Sequence, residues 1–169
     1  MRDERTIKLL YAKGRIVLLI EQSKNDIEDA LEAWDWFDFS GKSPFITTAF
    51  GDVFFESEDG IYFLDSLGGT LDKVTDSKLQ LQEILNTQDG QDHYLMSGLV
   101  VAARESGLTL EEGECYDFKV SPALNGTLEL SNLQKMSFKV SLHISGQLTK
   151  QIKDLPPGTK INGVEFEGA

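Results

Sequence analysis

Between Phe45 and Val74 the chain holds four short runs rich in β-branched and aromatic residues, joined by connections with room only for tight turns. The runs are Phe45-Ile46-Thr47-Thr48-Ala49-Phe50, Val53-Phe54-Phe55, Ile61-Tyr62-Phe63-Leu64 and Thr70–Val74, with Glu58-Asp59-Gly60 and Ser66–Gly69 supplying turn residues. Such side chains suit a pleated surface. Strands joined this closely are neighbours and antiparallel. The stretch predicts an antiparallel β-meander, and the remaining segments must cover it.

Those segments read mostly as helices. Ile27, Leu31 and Trp34 recur at helical spacing within about Asn25–Phe37, with Ser23 or Asn25 as cap. Asp76 or Ser77 caps a second helix running to about Asn86, with Leu81, Ile84 and Leu85 inward. A third is predicted from about Asp92 to Ser106, with Leu95, Leu99, Ala102 and Ser106 on one face and Gly107 as a left-handed stop. Cys115–Val120 and Met136–Val140 read as strands. A last helix over about Ser141–Lys153 carries a stripe of Ile144, Leu148, Ile152 and Leu155. Gly146 in that helix marks a close approach by another element, and Pro156-Pro157-Gly158 stops it. Ile161-Asn162-Gly163-Val164 is left as a final turn or strand. With no repeat or linker, the expected fold is α+β, a single domain with an antiparallel β-meander packed against several helices.

At 169 residues the chain suits one domain with a real core. Its longest apolar run, Ile16-Val17-Leu18-Leu19-Ile20, has the length of a buried strand, short of a membrane span or a signal-peptide core. The default compartment is then the cytoplasm. A lone cysteine, Cys115, agrees with a reducing environment. Its neighbours Glu111, Glu112, Glu114 and Asp117 are expected to raise its thiol pKa and argue against a nucleophile. The net charge is −12, which argues against nucleic-acid binding, since phosphate neutralisation needs clustered bases. Residues 1–60 hold 13 acids and 7 bases and residues 61–120 hold 11 and 4, whereas residues 121–169 hold 4 and 5. The acidity belongs to the first two-thirds, and a basic partner or simple solubility would account for it.

No assembled chemistry is evident. His93 and His143 are far apart, and no nucleophile elbow, phosphate loop or dinucleotide fingerprint occurs. Ser66-Leu67-Gly68-Gly69 reads as a hairpin turn. Asp52, Glu56, Glu58 and Asp59 are the acids from which a hard-cation site would be built, but they miss the calcium-loop pattern. They read equally as solvated carboxylates. No enzyme activity, metal or cofactor is expected.

The feature singled out is the outer face of the first helix. Residues 26–38 hold six acids (Asp26, Glu28, Asp29, Glu32, Asp35, Asp38) and no base. If the helix reaches Trp36, that side chain falls opposite Ile27, beside Asp29 and Glu32, as an exposed aromatic anchor. If the helix frays earlier, Trp36 tucks into the core. The candidate partner-binding residues are Asp29, Glu32 and Trp36, with Asp52, Glu56 and Asp59 as a second acidic region.

Several further pieces carry a resemblance. They are Thr48-Ala49-Phe50-Gly51-Asp52, Ile61-Tyr62-Phe63-Leu64-Asp65, Gly113-Glu114-Cys115-Tyr116-Asp117-Phe118-Lys119, Gly146-Gln147 and Lys153-Asp154-Leu155-Pro156-Pro157-Gly158-Thr159. From about Thr48 onward the chain resembles the C-terminal domain of type VI secretion immunity proteins, the antitoxins paired with DNase effectors. The resemblance implies a bacterial cytoplasmic protein that binds a cognate nuclease toxin and blocks it. A DNase has a basic substrate groove, which an acidic protein suits. Longer members carry a GAD-like domain first. Here residues 1–44 are expected to be a strand/helix remnant of it, or to lack it, and 45–169 to form the immunity-type domain, in one compact unit. The alternative is a general interaction module similar to SMI1/KNR4-like domains, with a non-toxin partner.

Overall fold

The computed structural model describes residues 18–168. Five antiparallel strands run in the order β1-β2-β3-β4-β5: β1 (Leu19–Ile20), β2 (Ser43–Thr48), β3 (Val53–Ser57), β4 (Gly60–Asp65) and β5 (Thr70–Thr75). Sequence order is spatial order, as the short connections from β2 to β5 require, whereas β1 reaches β2 through a helix and a 3-10 turn. Of the run Ile16–Ile20, Ile16 and Val17 lie outside the described residues, while Leu19 and Ile20 pair with Thr48 and Thr47.

Alternation along the strands sorts two cores. Phe54, Ile61 and Phe63 belong to a cluster on one face, whereas Val53, Phe55, Tyr62 and Leu64 belong to a second on the other. Successive side chains of a strand point to opposite faces. Because both faces are covered, Val53, Phe54 and Phe55 are all fully buried. The first face is covered by α2 (Lys78–Leu85), α3 (Gln88–Leu95), α4 (Ser97–Glu105) and a two-stranded sheet of β6 (Glu114–Phe118) and β7 (Leu133–Ser137). The second is covered by α1 (Lys24–Leu31), the 3-10 turn Glu32–Trp34 and α5 (Phe138–Ile152). This is a single α+β unit.

Several boundaries depart from expectation. Ser23 caps α1 by accepting the Asp26 N–H at 3.1 Å, yet the helix ends at Leu31 and not Phe37. Of the two candidate caps for α2, Asp76 and Ser77, it is Ser77 that accepts the Gln80 N–H. The helix predicted over Asp92–Ser106 is two helices, parted at Met96, which sits left-handed at φ 46° and ψ 48°. The buried residues explain the break. Leu95 and Val100 both enter the core, yet five positions along one helix would set them about 140° apart. The break re-aims α4, so Val100 and Ala103 are buried while Ser106 is exposed. Gly107 is left-handed, φ 87°, as expected.

The β7 strand ends at Ser137 because its register with β6 runs from Phe118↔Leu133 to Glu114↔Ser137, so Phe138 already begins α5. The buried stripe of α5 is Phe138, Ser141, Leu142, Gly146, Leu148 and Thr149. Of the predicted stripe only Leu148 is buried; Ile144 and Ile152 are half-buried and Leu155 is 44% exposed. The small members of that stripe meet three different neighbours: Gly146 faces Ala33 and Trp34, the Ser141 hydroxyl donates to Asp117 at 2.9 Å, and Thr149 lies beside Gly69 in the β4–β5 turn. Residues 161–164 form neither helix nor strand.

Candidate partner-binding surface

Trp34 anchors the segment after α1. Its indole N–H donates to the Leu142 carbonyl at 2.9 Å, and the ring is fully buried. Behind it the chain turns away, so Trp36 does not extend the outer face of α1. Its half-buried ring lies 5.1 Å from that of Trp34 and 5.5 Å from that of Phe37, against the second core. Of the two placements open in the sequence, the structure takes the inward one.

Of the acids of α1, Glu28 and Asp29 are exposed and Asp26 is half-buried; Asp29, and the exposed Asp35 just after the 3-10 turn, are paired across to α5. Lys139 Nζ lies 2.6 Å from Asp29 Oδ2, and Lys150 Nζ lies 2.7 Å from both Asp35 oxygens. The field of Asp29, with Asp26 and Glu32 nearby, raises the Lys139 pKa; its hydrogen bond to Asp29 is the largest cause. Six acids against these two lysines, and Lys24 at 3.5 Å from Glu28, still leave the face negative. Exposed pairs of this kind contribute little to stability, so the charge remains available to a partner. The local count of bases along 26–38 missed both lysines, which lie over a hundred residues away in sequence.

The second acidic region does not hold together as a site. Asp52 is in the core, so its assignment as a partner contact is corrected here: its carboxylate offers no surface. Oδ1 accepts from the Ser66 N–H at 2.9 Å and the Ser66 hydroxyl at 2.7 Å, and Oδ2 accepts from the Thr48 hydroxyl at 3.2 Å. Burial pushes its pKa up to about 7, with Asp65 adding to the effect and the Ser66 and Thr48 hydrogen bonds opposing it. The exposed pair Glu56–Lys78 closes at 2.6 Å, with the same ammonium 4.7 Å from the centre of the Phe45 ring. Asp59, in the β3–β4 turn, accepts from the Tyr62 hydroxyl at 2.7 Å, which lowers its pKa. Asp52 and Asp59 flank opposite ends of β3, roughly 16 Å of strand apart. Among the described residues no three His, Cys, Asp or Glu side chains gather in a way that would hold a metal ion.

Cys115 is fully buried, and its thiol is pushed up to about 12, chiefly by burial, with Asp117, Asp52 and Glu114 adding to it. The acidic neighbours are thus the smaller cause. His93 lies in the last turn of α3, not the first turn of a helix, and His143 sits in α5.

One feature escaped sequence reading. A groove of about 960 Å³ runs between β5, α2 and α3, lined by the apolar Val74, Ile84 and Tyr94 and by one lysine, Lys73, against three acids, Asp76, Glu83 and Asp89. Its acids are scattered in sequence. They converge because Gly90 lets α3 fold back on α2: a Cβ there would lie 2.0 Å from the Ile84 carbonyl oxygen.

The fold and surface define an acidic α+β protein with a sheet buried on both faces and its carboxylates concentrated outside. Residues 77–149 match the family described as T6SS immunity protein Tdi1, C-terminal. That is the family class expected from the sequence, over 73 of 169 residues, from the cap of α2 into α5. The matched stretch includes Gly113–Lys119 and Gly146-Gln147 but neither the meander nor Lys153–Thr159. No curated protein matches significantly. Among solved structures, the crystal structure of Atu4351 from Agrobacterium tumefaciens is similar, with a TM-score of 0.49 and 17% identity over 73% of this chain and 62% of that one. The similarity thus spans less than two thirds of that chain. No helix among the described residues is long and apolar enough to cross a membrane.

Proposed function

We propose that the protein is a cytoplasmic immunity protein that neutralises a type VI secretion DNase effector by stoichiometric binding, without turnover of its own. The observation that carries this reading is the family match over residues 77–149. The net charge of −12 supports it, because an acidic surface attracts a protein that must bind DNA and speeds its capture. The exposed acids Asp29 of α1 and Glu32 of the 3-10 turn, and the meander acids Glu56 and Asp59, are proposed contacts. We further assign the immunity-type unit to residues 45–169, with residues 1–44 as an appended segment. That segment contributes β1 to the sheet and α1 to the second core, in keeping with one compact unit.

The test is titration of the purified protein into a candidate DNase effector, the product of a nuclease gene adjacent to its own being the first choice, with plasmid cleavage as readout. Inhibition complete near one equivalent supports the reading. Full cleavage at a large excess, with no complex on a sizing column, overturns it.

A further inference from the structure

Strand β5 ends the sheet. It pairs with β4 through Asp65↔Thr70 to Ile61↔Thr75, and among the described residues no strand lies on its other side. Among the described residues its backbone groups make no hydrogen bond to another element there either. The strand has no proline and pairs regularly from Thr70 to Lys73, with a bulge at Val74, which leaves Thr70–Lys73 a competent template for another strand. The usual guard on such an edge is a lysine, and Lys73 is present, but Asp76 holds its ammonium at 2.7 Å. The groove described above lies directly alongside, with its apolar and acidic lining.

We infer that β5 and this groove receive an extended, basic segment of the effector by strand addition, with alternate side chains entering the groove. The recognition chemistry is specific. Main-chain hydrogen bonds supply the alignment, and side chains of an added strand alternate in direction. One set therefore meets Val74, Ile84 and Tyr94 while lysines or arginines meet Glu83 and Asp89, both exposed. The acidic lining excludes an acidic segment and disfavours a second copy of this chain, which would bring its own carboxylates to the same edge. The partner's identity rests on the immunity reading; the docking edge rests on geometry alone.

The experiment is amide hydrogen exchange on the full chain, free and with a catalytically inactivated effector, alongside binding kinetics for Glu83→Lys/Asp89→Lys. Added protection of amides 70–75 in the complex is expected, with association slowed about tenfold at low salt and less at high salt. Both substitutions are at exposed positions, and a thermal melt confirms that the variant folds. Tight complex formation with unchanged exchange in β5 overturns the docking edge while the immunity reading survives. Absence of any complex overturns both. Protection of β5 already present in a free dimer assigns the edge to a second copy and also overturns the inference.

Discussion

The indole N–H of Trp34 donates to the Leu142 carbonyl at 2.9 Å, a contact across 108 positions of sequence that fixes α1 and its 3-10 turn against α5. Gly146 makes room for it. A Cβ at that position would lie 2.8 Å from both the Trp34 indole nitrogen and the Ala33 carbonyl oxygen. In an ordinary helix interior, glycine to alanine stabilises by up to about 1 kcal/mol. Here Gly146→Ala is expected to destabilise, by about 1–3 kcal/mol, as overpacking does. Urea denaturation reads the sign directly, and a stabilised variant would show that the interface yields.

The inward face of α5 is testable in the same way. Leu142→Ala and Leu148→Ala remove buried side chains and are expected to cost about 2–5 kcal/mol each. Leu155→Ala, at an exposed position, is expected within about 0.5 kcal/mol of the parent. Equal losses at positions 142 and 155 would contradict the orientation described.

Asp52 should make stability depend on pH. Its folded pKa is raised from 3.8 to about 7, so the folded state keeps a proton that the unfolded state releases. The protonated carboxyl contributes fully below about pH 4, and that contribution is lost as pH rises to about 7, where the curve flattens. Each pKa unit corresponds to about 1.4 kcal/mol. Asp52→Asn, of the same shape and always neutral, is expected to remove this slope. Parallel curves for the two proteins between pH 4 and 7 would refute it.

At the α1 face, Asp29→Lys with Glu32→Lys is expected to slow effector association by about tenfold at low salt, with little change in melting temperature. Trp36→Ala is a different case, because its ring packs on Trp34 and Phe37. It is expected to cost about 2 kcal/mol of stability, so its binding effect must be read below the melting range. Surface-plasmon kinetics at two salt concentrations, with melts alongside, separate the two roles. Unchanged association for the charge-reversed protein would remove this face from the interface.

Cys115 is expected to resist alkylation in the native protein and to react once unfolded. The thiol is buried and its pKa lies far above neutrality, and only the thiolate is a good nucleophile. Mass-spectrometric labelling with and without denaturant checks this; rapid native labelling would contradict it.

Local patterns made much of the fold legible. The meander from Ser43 to Thr75, a cap for α2 at Asp76 or Ser77, the left-handed Gly107 and the crowding at Gly146 follow from turn chemistry, strand propensity and the absence of a side chain. The candidate site was less legible. Asp52 and Asp59 look alike in sequence, four acids within eight residues. Yet β3 separates them, and one carboxyl is drawn inward to Ser66 while the other stays in a solvent-exposed turn.

Composition and nearest-neighbour spacing therefore carried the class of architecture and the acidity of the chain directly, while the resemblance read from about Thr48 onward is matched over residues 77–149. Only the tertiary structure decided which helical face turned inward, where the α3–α4 break fell, and which carboxylates met lysines or the core. Each of these depends on contacts between residues far apart in the chain. There, close packing of α5 on α1, β6 and the β4–β5 turn outweighs the preference of any single stripe, and Ser141, Gly146 and Thr149 are buried beside Phe138, Leu142 and Leu148 while Ile144 and Ile152 are only half-buried.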